Sequence, residues 1–203
     1  MTDAETMQVY AEAAARYAEG FARTKDTDQE EDYAAFTALL PDGAKVLDLG
    51  CGPGHWTARM RGDGYAAEGI DASPEMAAYA RDAYGIEVTL ADFSALAQLA
   101  GYDGIWANFS LLHAPKAAFP THLAHIRQAL PAGGALALGM KLGSGESRDH
   151  LGRFYAYYSE EDLIERVTQA GFDVLSTRRG HGEGLAGKPD TFVVLIAQVP
   201  PQG

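Results

Sequence analysis

The run Val46-Leu47-Asp48-Leu49-Gly50-Cys51-Gly52-Pro53-Gly54 constrains the fold of this 203-residue chain more than any other stretch. A short apolar segment passes directly into three glycines at alternating positions, and a helical pattern opens near His55. Such a segment, bounded by turn signals, reads as a buried strand. The glycines allow a tight turn and let another group approach bare backbone. The helix that follows starts with unpaired N–H groups. A strand, glycine loop and helix in this order make one unit of an α/β sheet, and open sheets of that kind bind ligands beyond the carboxyl ends of their strands.

The alternation continues downstream. Strands are expected at Tyr65–Asp71, Ile86–Leu90, Tyr102–Asn108, Ala135–Leu142, Phe172–Thr177 and Thr191–Val199. Ser73 is placed to cap a helix with Pro74 in its first turn. Pro120 opens another helix, with Leu123, Ile126 and Leu130 on one face, and Pro131–Gly134 stop it. Ser159 and Asp162 form a capping-box pattern ahead of Leu163, Ile164 and Val167, and Gly171 ends that helix. Apolar strands separated by helices predict a mostly parallel seven-stranded sheet covered on both faces. The last two strands lack a helix between them and should pair antiparallel. Before the sheet, a helix is expected near residues 4–20, a break at Thr24–Asp28, and a second helix through Leu40. The Glu30–Asp32 run reads as its solvated, acidic start. The whole is one domain, 1–203, with an N-terminal helical cap over 1–40 and a core over 41–199.

Composition narrows the functional classes. Twenty-eight acidic and sixteen basic residues give a formal net charge of -12. That charge repels polyanions, so no nucleic-acid partner is expected. No apolar run approaches the ~20 residues that span a bilayer, so no membrane partner is expected either. A lone cysteine, Cys51, excludes an intrachain disulfide and suits a reducing compartment, with the cytoplasm as the default. His122 and His125 stand three apart on a helix without further ligands nearby, so no metal is expected.

Four strand ends carry polar groups in chain order. After the glycine loop, Gly69-Ile70-Asp71 places a carboxylate where it can accept from ribose hydroxyls, in bonds of about 1.5–3 kcal/mol each. Ala91-Asp92-Phe93 offers an acceptor for an adenine amino group and a ring beside it. Ala107-Asn108-Phe109-Ser110-Leu111-Leu112-His113 closes the fourth strand.

This set resembles the class I S-adenosylmethionine-dependent methyltransferases, over roughly residues 36–199. The Leu111-Leu112-His113 and Pro131–Gly134 segments are similar to small-molecule members of the ubiquinone- and tellurite-resistance-type branches. The resemblance implies a Rossmann-like fold, S-adenosylmethionine as donor and S-adenosylhomocysteine as product. It also implies that Asp48 and the backbone near Gly50 hold the amino-acid end, Asp71 the ribose, Asp92 and Phe93 the adenine, and Asn108 the methionine portion. Cys51, Gly52, Gly54, Ala72, Met76 and Phe109 complete the expected cofactor set.

Methyl transfer is an in-line displacement, so placing the nucleophile is much of the task; orientation contributes roughly 7–11 kcal/mol in favourable models. His113 is the candidate base and Tyr17 a candidate lid residue from the N-terminal helix, where Tyr10 and Tyr17 share helical spacing and equally suit packing. Gly143–Tyr158 reads as a glycine-containing lid. Within it and at its base, Lys141, Arg148, Arg153 and Tyr155 are candidates to bind a small, anionic or polar acceptor, arginine being suited to carboxylates. Two rival readings are a non-catalytic protein that binds the same cofactor and a nicotinamide oxidoreductase. The second is disfavoured because G-x-G-x-x-G needs glycine at position 55, which is histidine.

Overall fold

The computed structural model describes residues 3–23, 27–183, 185–187 and 189–201, and for 14–23, 27 and 28 the backbone alone. In chain order the helices are α1 (Ala4–Arg23), α2 (Thr27–Thr37), α3 (His55–Gly62), α4 (Pro74–Tyr84), α5 (Phe119–Ala129) and α6 (Glu160–Gln169). The strands are β1 (Lys45–Leu49), β2 (Ala66–Asp71), β3 (Val88–Leu90), β4 (Gly104–Asn108), β5 (Ala135–Lys141), β6 (Glu146–Arg148), β7 (Phe154–Ala156), β8 (Asp173–Glu183) and β9 (Pro189–Gln198). Short 3-10 turns cover Phe93–Gln98 and Leu111–His113.

Seven strands form one sheet in the order β3-β2-β1-β4-β5-β9-β8. The first five are parallel, while β9 runs antiparallel to both β5 and β8. Strand order reverses between β1 and β4, and their carboxyl ends open the crevice expected at such a switch point. Alternation along each strand divides the core. Leu47, Leu49, Ile105, Leu136 and Leu138 pack on one face with Leu123 and Ile126 of α5. Val46, Trp106, Ala135, Ala137 and Ile196 pack on the other with Phe36 and Trp56.

Local signals account for the helix ends. Ser73 Oγ accepts from Met76 N at 3.2 Å, and Gly85 closes α4 at φ 66°. Ser159 Oγ accepts from Asp162 N at 3.1 Å to start α6.

Three expectations change. The 143–158 segment is no irregular loop: β6 and β7 pair antiparallel as a small hairpin. Strand β8 continues six residues past Thr177, because its polar, glycine-containing end is paired along β9. The acidic start of α2 is not wholly solvated. Asp32 is buried, and its carboxylate accepts from Arg178 Nε and Nη2 at 2.8 and 2.5 Å.

Candidate active site

The loop after β1 is shaped by backbone. Gly50, Gly52 and Gly54 take φ values of 71°, 52° and 81°, the left-handed region that only glycine enters freely. A Cβ on Gly50 would overlap the Cβ of Ser110, so the loops after β1 and β4 lie against one another only because that side chain is missing. Gly54 has a different reason. A Cβ there would come within 2.8 Å of Ala80 Cβ, so this glycine sets the packing of α3 on α4.

Beneath the loop, buried Asp48 accepts from Thr57 Oγ1 of α3 at 2.7 Å. Burial raises its carboxyl to about 7, against the pull of the Thr57 bond, and nearby Asp71 adds to the rise. Cys51 is buried with its Sγ toward Gly69, and burial pushes its thiol up.

A cavity of about 740 Å3, open mouth included, lies over the ends of β1, β2 and β4. Gly50 and Gly52 form part of its floor, with Asp71, Ala72 and Met76 along one side and Asp92, Phe93, Asn108 and Phe109 along another. Asp71 Oδ2 accepts from Gly52 N at 2.8 Å and Oδ1 from Ser73 N at 2.9 Å. One carboxylate thus fixes both the glycine loop and the start of α4. Each oxygen retains acceptor capacity toward the cavity. Burial raises this carboxyl despite the backbone N–H bonds from Ser73, Gly52 and Ala72. Asp92 Oδ1 accepts from Ser94 N at 2.8 Å.

The cavity also holds Ser110, whose buried Oγ has no hydrogen-bond partner. A buried hydroxyl left unpaired is costly and points to a missing partner. Bare glycine backbone, a half-buried carboxylate at the second strand end, a ring beside Asp92 and this orphan hydroxyl fit an adenosyl amino acid. Asp48, Cys51 and Gly54 of the expected cofactor set do not face the cavity; they support the loop from below and behind.

Helix α1 closes one side with Thr6, Met7 and Tyr10. Its hold on the core is specific. Thr6 Oγ1 donates to Asp3 Oδ1 at 2.7 Å and accepts from Phe154 N at 2.8 Å. Arg148 donates to both Asp3 oxygens, at 2.8 and 2.7 Å, and its Nη1 lies 3.2 Å from Glu5. Arg148 therefore ties the β6–β7 hairpin to α1 and lines neither cavity described here.

A second cavity of about 690 Å3, measured the same way, adjoins the first and shares Tyr10, Phe109 and His113 with it. Lys141, Arg153, Tyr155 and Phe192 contribute to its walls. His113 stands at the junction. Its Nδ1 lies 2.7 Å from Phe154 O, which can only accept, so Nδ1 carries the proton. Nε2 then accepts from Tyr10 O–H at 2.8 Å. Burial lowers the imidazole to about 4, so it is neutral above mildly acidic pH. Tyr10 also receives Arg153 Nη1 at 3.3 Å. Phe109 lines both cavities with a φ of 55°, the one non-glycine residue at positive φ among the described residues. Bulky side chains rarely adopt it, and such strain costs of order 1–3 kcal/mol. Gly139 makes room for the turn, since a Cβ there would meet Asn108 Oδ1 at 2.9 Å.

Sequence reasoning overlooked Tyr10 as a site residue and favoured Tyr17, whose side chain lies outside the described residues. The two are seven apart on one helix, so spacing alone cannot choose between them. Ser110 also escaped, because nothing in its neighbourhood marks a hydroxyl without a partner. Among the described residues no three His, Cys, Asp or Glu side chains gather as a metal site.

Known proteins bear on this geometry. Residues 46–134 match a family model described as a methyltransferase domain. A trans-aconitate 2-methyltransferase of Azoarcus sp. (strain BH72) is 41% identical over 106 residues, 50% of this chain and 40% of that protein. A malonyl-[acyl-carrier protein] O-methyltransferase of Pectobacterium atrosepticum is 37% identical over 82 residues, 39% of this chain and 30% of the relative. The matched segment thus spans well under half the length of these relatives. A solved structure of the Burkholderia thailandensis 1,6-didemethyltoxoflavin-N1-methyltransferase, with 1,6-didemethyltoxoflavin and S-adenosylhomocysteine bound, superposes with a TM-score of 0.75 at 25% identity. It covers 97% of this chain and 88% of its own. The fold is that of this S-adenosylhomocysteine-bound methyltransferase, and residues 46–134 match a methyltransferase domain. Of the two named sequence relatives, one is an O-methyltransferase and the other carries the trans-aconitate name, while the structural neighbour is an N1-methyltransferase.

Proposed function

We propose that this protein transfers a methyl group from S-adenosylmethionine to a small-molecule acceptor. The observation that carries this reading is the pair of adjoining cavities that share Tyr10, Phe109 and His113. The first has the features of a donor site, and the second lies where an acceptor can face it. When bound, S-adenosylmethionine supplies an electrophilic methyl group on a sulfonium sulfur.

The chain's own residues then hold and align. Gly50 and Gly52 give backbone to the amino-acid end, Asp71 takes the ribose hydroxyls, and Asp92 and Phe93 take the adenine. Asn108, the last residue of β4, and Ser110 line the first cavity on either side of Phe109, which lines both. Asp48 acts through Thr57, keeping the loop and α3 in register. Tyr10 and His113 fix one another and orient the acceptor. With both ring nitrogens bonded and burial holding the imidazole near 4, His113 takes a proton poorly, so positioning outweighs base catalysis here. Lys141, Arg153 and Tyr155 shape the acceptor side.

An anionic acceptor is the second reading, favoured by the relatives named for trans-aconitate. The lone buried Cys51 supports a reducing compartment such as the cytoplasm. No helix among the described residues is long and apolar enough to cross a membrane.

An acceptor screen that reads S-adenosylhomocysteine formation tests the activity. Turnover is expected with at least one small-molecule acceptor and should fall in His113→Ala. Binding of S-adenosylhomocysteine without turnover on any acceptor would favour the non-catalytic binding protein instead.

A further inference from the structure

The acceptor cavity lies almost wholly outside the matched methyltransferase segment. Only Phe109, Leu112 and His113 of its walls fall within residues 46–134. What the sequence relatives act on therefore has little hold on this cavity, and its own chemistry must be read directly.

Its cations are already matched. Lys141 Nζ lies 2.5 Å from Asp190 Oδ2, and both side chains are mostly buried. The same ammonium sits over the Tyr155 ring at 4.1 Å. Arg153 is almost fully buried, and its Nε and Nη2 both donate to Asp149 Oδ2, at 2.9 and 2.7 Å. Glu183 adds a further acid to the wall. Two cations thus face Asp190, Glu183 and Asp149, so the described residues offer no surplus positive charge. A di- or tricarboxylate entering here would be desolvated beside carboxylates that already hold the cations, an arrangement that buried charges do not tolerate.

The remaining surface is apolar, with Leu112 and Leu185 beside three aromatic rings. Phe109 and Phe192 meet edge to face at 5.2 Å between centroids, and Tyr155 lies 4.7 Å from His113. Phe109 is kept at this wall in a left-handed backbone conformation. Rings arranged in this way favour another ring. The other polar groups of the wall, Tyr10 and His113, which already bond one another, and Gln29, are uncharged near neutral pH.

We infer that the acceptor is an uncharged planar aromatic or heteroaromatic ring bearing a protic oxygen or nitrogen. It lodges against Phe109, Phe192 and Tyr155, beside the Tyr10–His113 pair. This inference rests on the methyltransferase reading above and narrows its acceptor class.

The test is equilibrium binding to protein saturated with S-adenosylhomocysteine. The probes are 2-naphthol and 4-hydroxyquinoline against malonate and trans-aconitate. The neutral rings should bind at least about tenfold more tightly than either carboxylate. Asp190→Asn releases Lys141 and should narrow that ratio by about tenfold, the worth of one charge-assisted bond. Phe192→Leu, which keeps the site apolar, should weaken ring binding about threefold without improving carboxylate binding. Tighter binding of malonate or trans-aconitate by the native chain overturns the inference, as does a loaded protein that binds neither ring. Failure to bind S-adenosylhomocysteine at all would instead sink the methyltransferase reading beneath it.

Discussion

The donor and acceptor cavities share a wall but are made of different material. The donor side is set by its backbone: two left-handed glycines and a carboxylate, Asp71, that anchors the loop through Gly52 and Ser73, with Met76, Asp92 and Phe93 around them. The acceptor side is largely side chain, with Tyr10, Lys141, Arg153, Tyr155 and Phe192 brought together from α1, β5, the β6–β7 hairpin and β9. The lesson is about where specificity resides. A backbone-built cradle fits one invariant ligand and tolerates little change. A cavity built from paired side chains can alter its acceptor by single substitutions while the sheet stays as it is.

Substitutions can break or sharpen that contrast. The largest effect is expected for Gly50→Ala. Its Cβ overlaps Ser110 in a backbone conformation that already disfavours a side chain. Calorimetry should show S-adenosylhomocysteine affinity reduced by at least ~100-fold, with stability lower by about 1–3 kcal/mol. Asp71→Ala comes next. It removes the carboxylate that faces the donor cavity and leaves Gly52 N without its acceptor, and affinity should fall by about 10- to 100-fold, from one or two charge-assisted bonds. If the acceptor side is independent, neither change should create a new preference among acceptors.

Tyr10→Phe should act on the other side of the wall. Losing its bond to His113 Nε2 removes about 1 kcal/mol of hydrogen bonding. Steady-state kinetics should show a fall of about fivefold in kcat/KM for the acceptor, with donor affinity less affected. Arg148→Ala, at an exposed tie between the hairpin and α1, should have the smallest effect, a slight fall in melting temperature that shrinks at high salt.

The donor loop also carries a pH signature. Asp48 has a folded pKa near 7, above its ordinary value of 3.8. A raised carboxyl favours the native state while protonated, so its contribution is complete below about 4 and lost as pH rises through about 7. His113, lowered to about 4, works in the opposite sense: its contribution is present above about 6.5 and lost as pH falls toward 4. The two partly cancel in the native chain, so a substitution is needed to separate them. In Asp48→Asn, which can still accept from Thr57, stability relative to the native chain should rise between pH 4 and pH 8. Chemical denaturation at several pH values would read it.

The contrast in material also explains what the sequence made legible. The seven-stranded sheet, its antiparallel end and much of the lining of the first cavity could be read because each signal is local. Val46–Gly54 announces strand and loop together, Asp71 and Asn108 each end a strand, and Asp92 follows one closely. The acceptor side depends on contacts between distant segments. Asp32 reads as a solvated acid until Arg178, 146 residues away, is seen against it. Arg148 and Arg153 read as candidates to bind an acceptor, yet Asp3 and Asp149 hold them. The three-residue strands β6 and β7 lack apolar alternation, and the end of β8 reads as loop because its pairing is supplied by β9. Asp48, Cys51 and Gly54 sit inside the recognisable motif, but their side chains or positions serve the loop's support, a distinction that periodicity does not carry.

The central claim is that the crevice over β1, β2 and β4 takes an adenosyl amino acid. Titrating S-adenosylhomocysteine into the native chain and into Gly50→Ala, side by side in a calorimeter, tests it most directly. The account predicts saturable one-to-one binding by the native chain and none measurable by the variant at the same concentrations. No heat of binding from a folded native chain, or equal affinity in the two proteins, would contradict it.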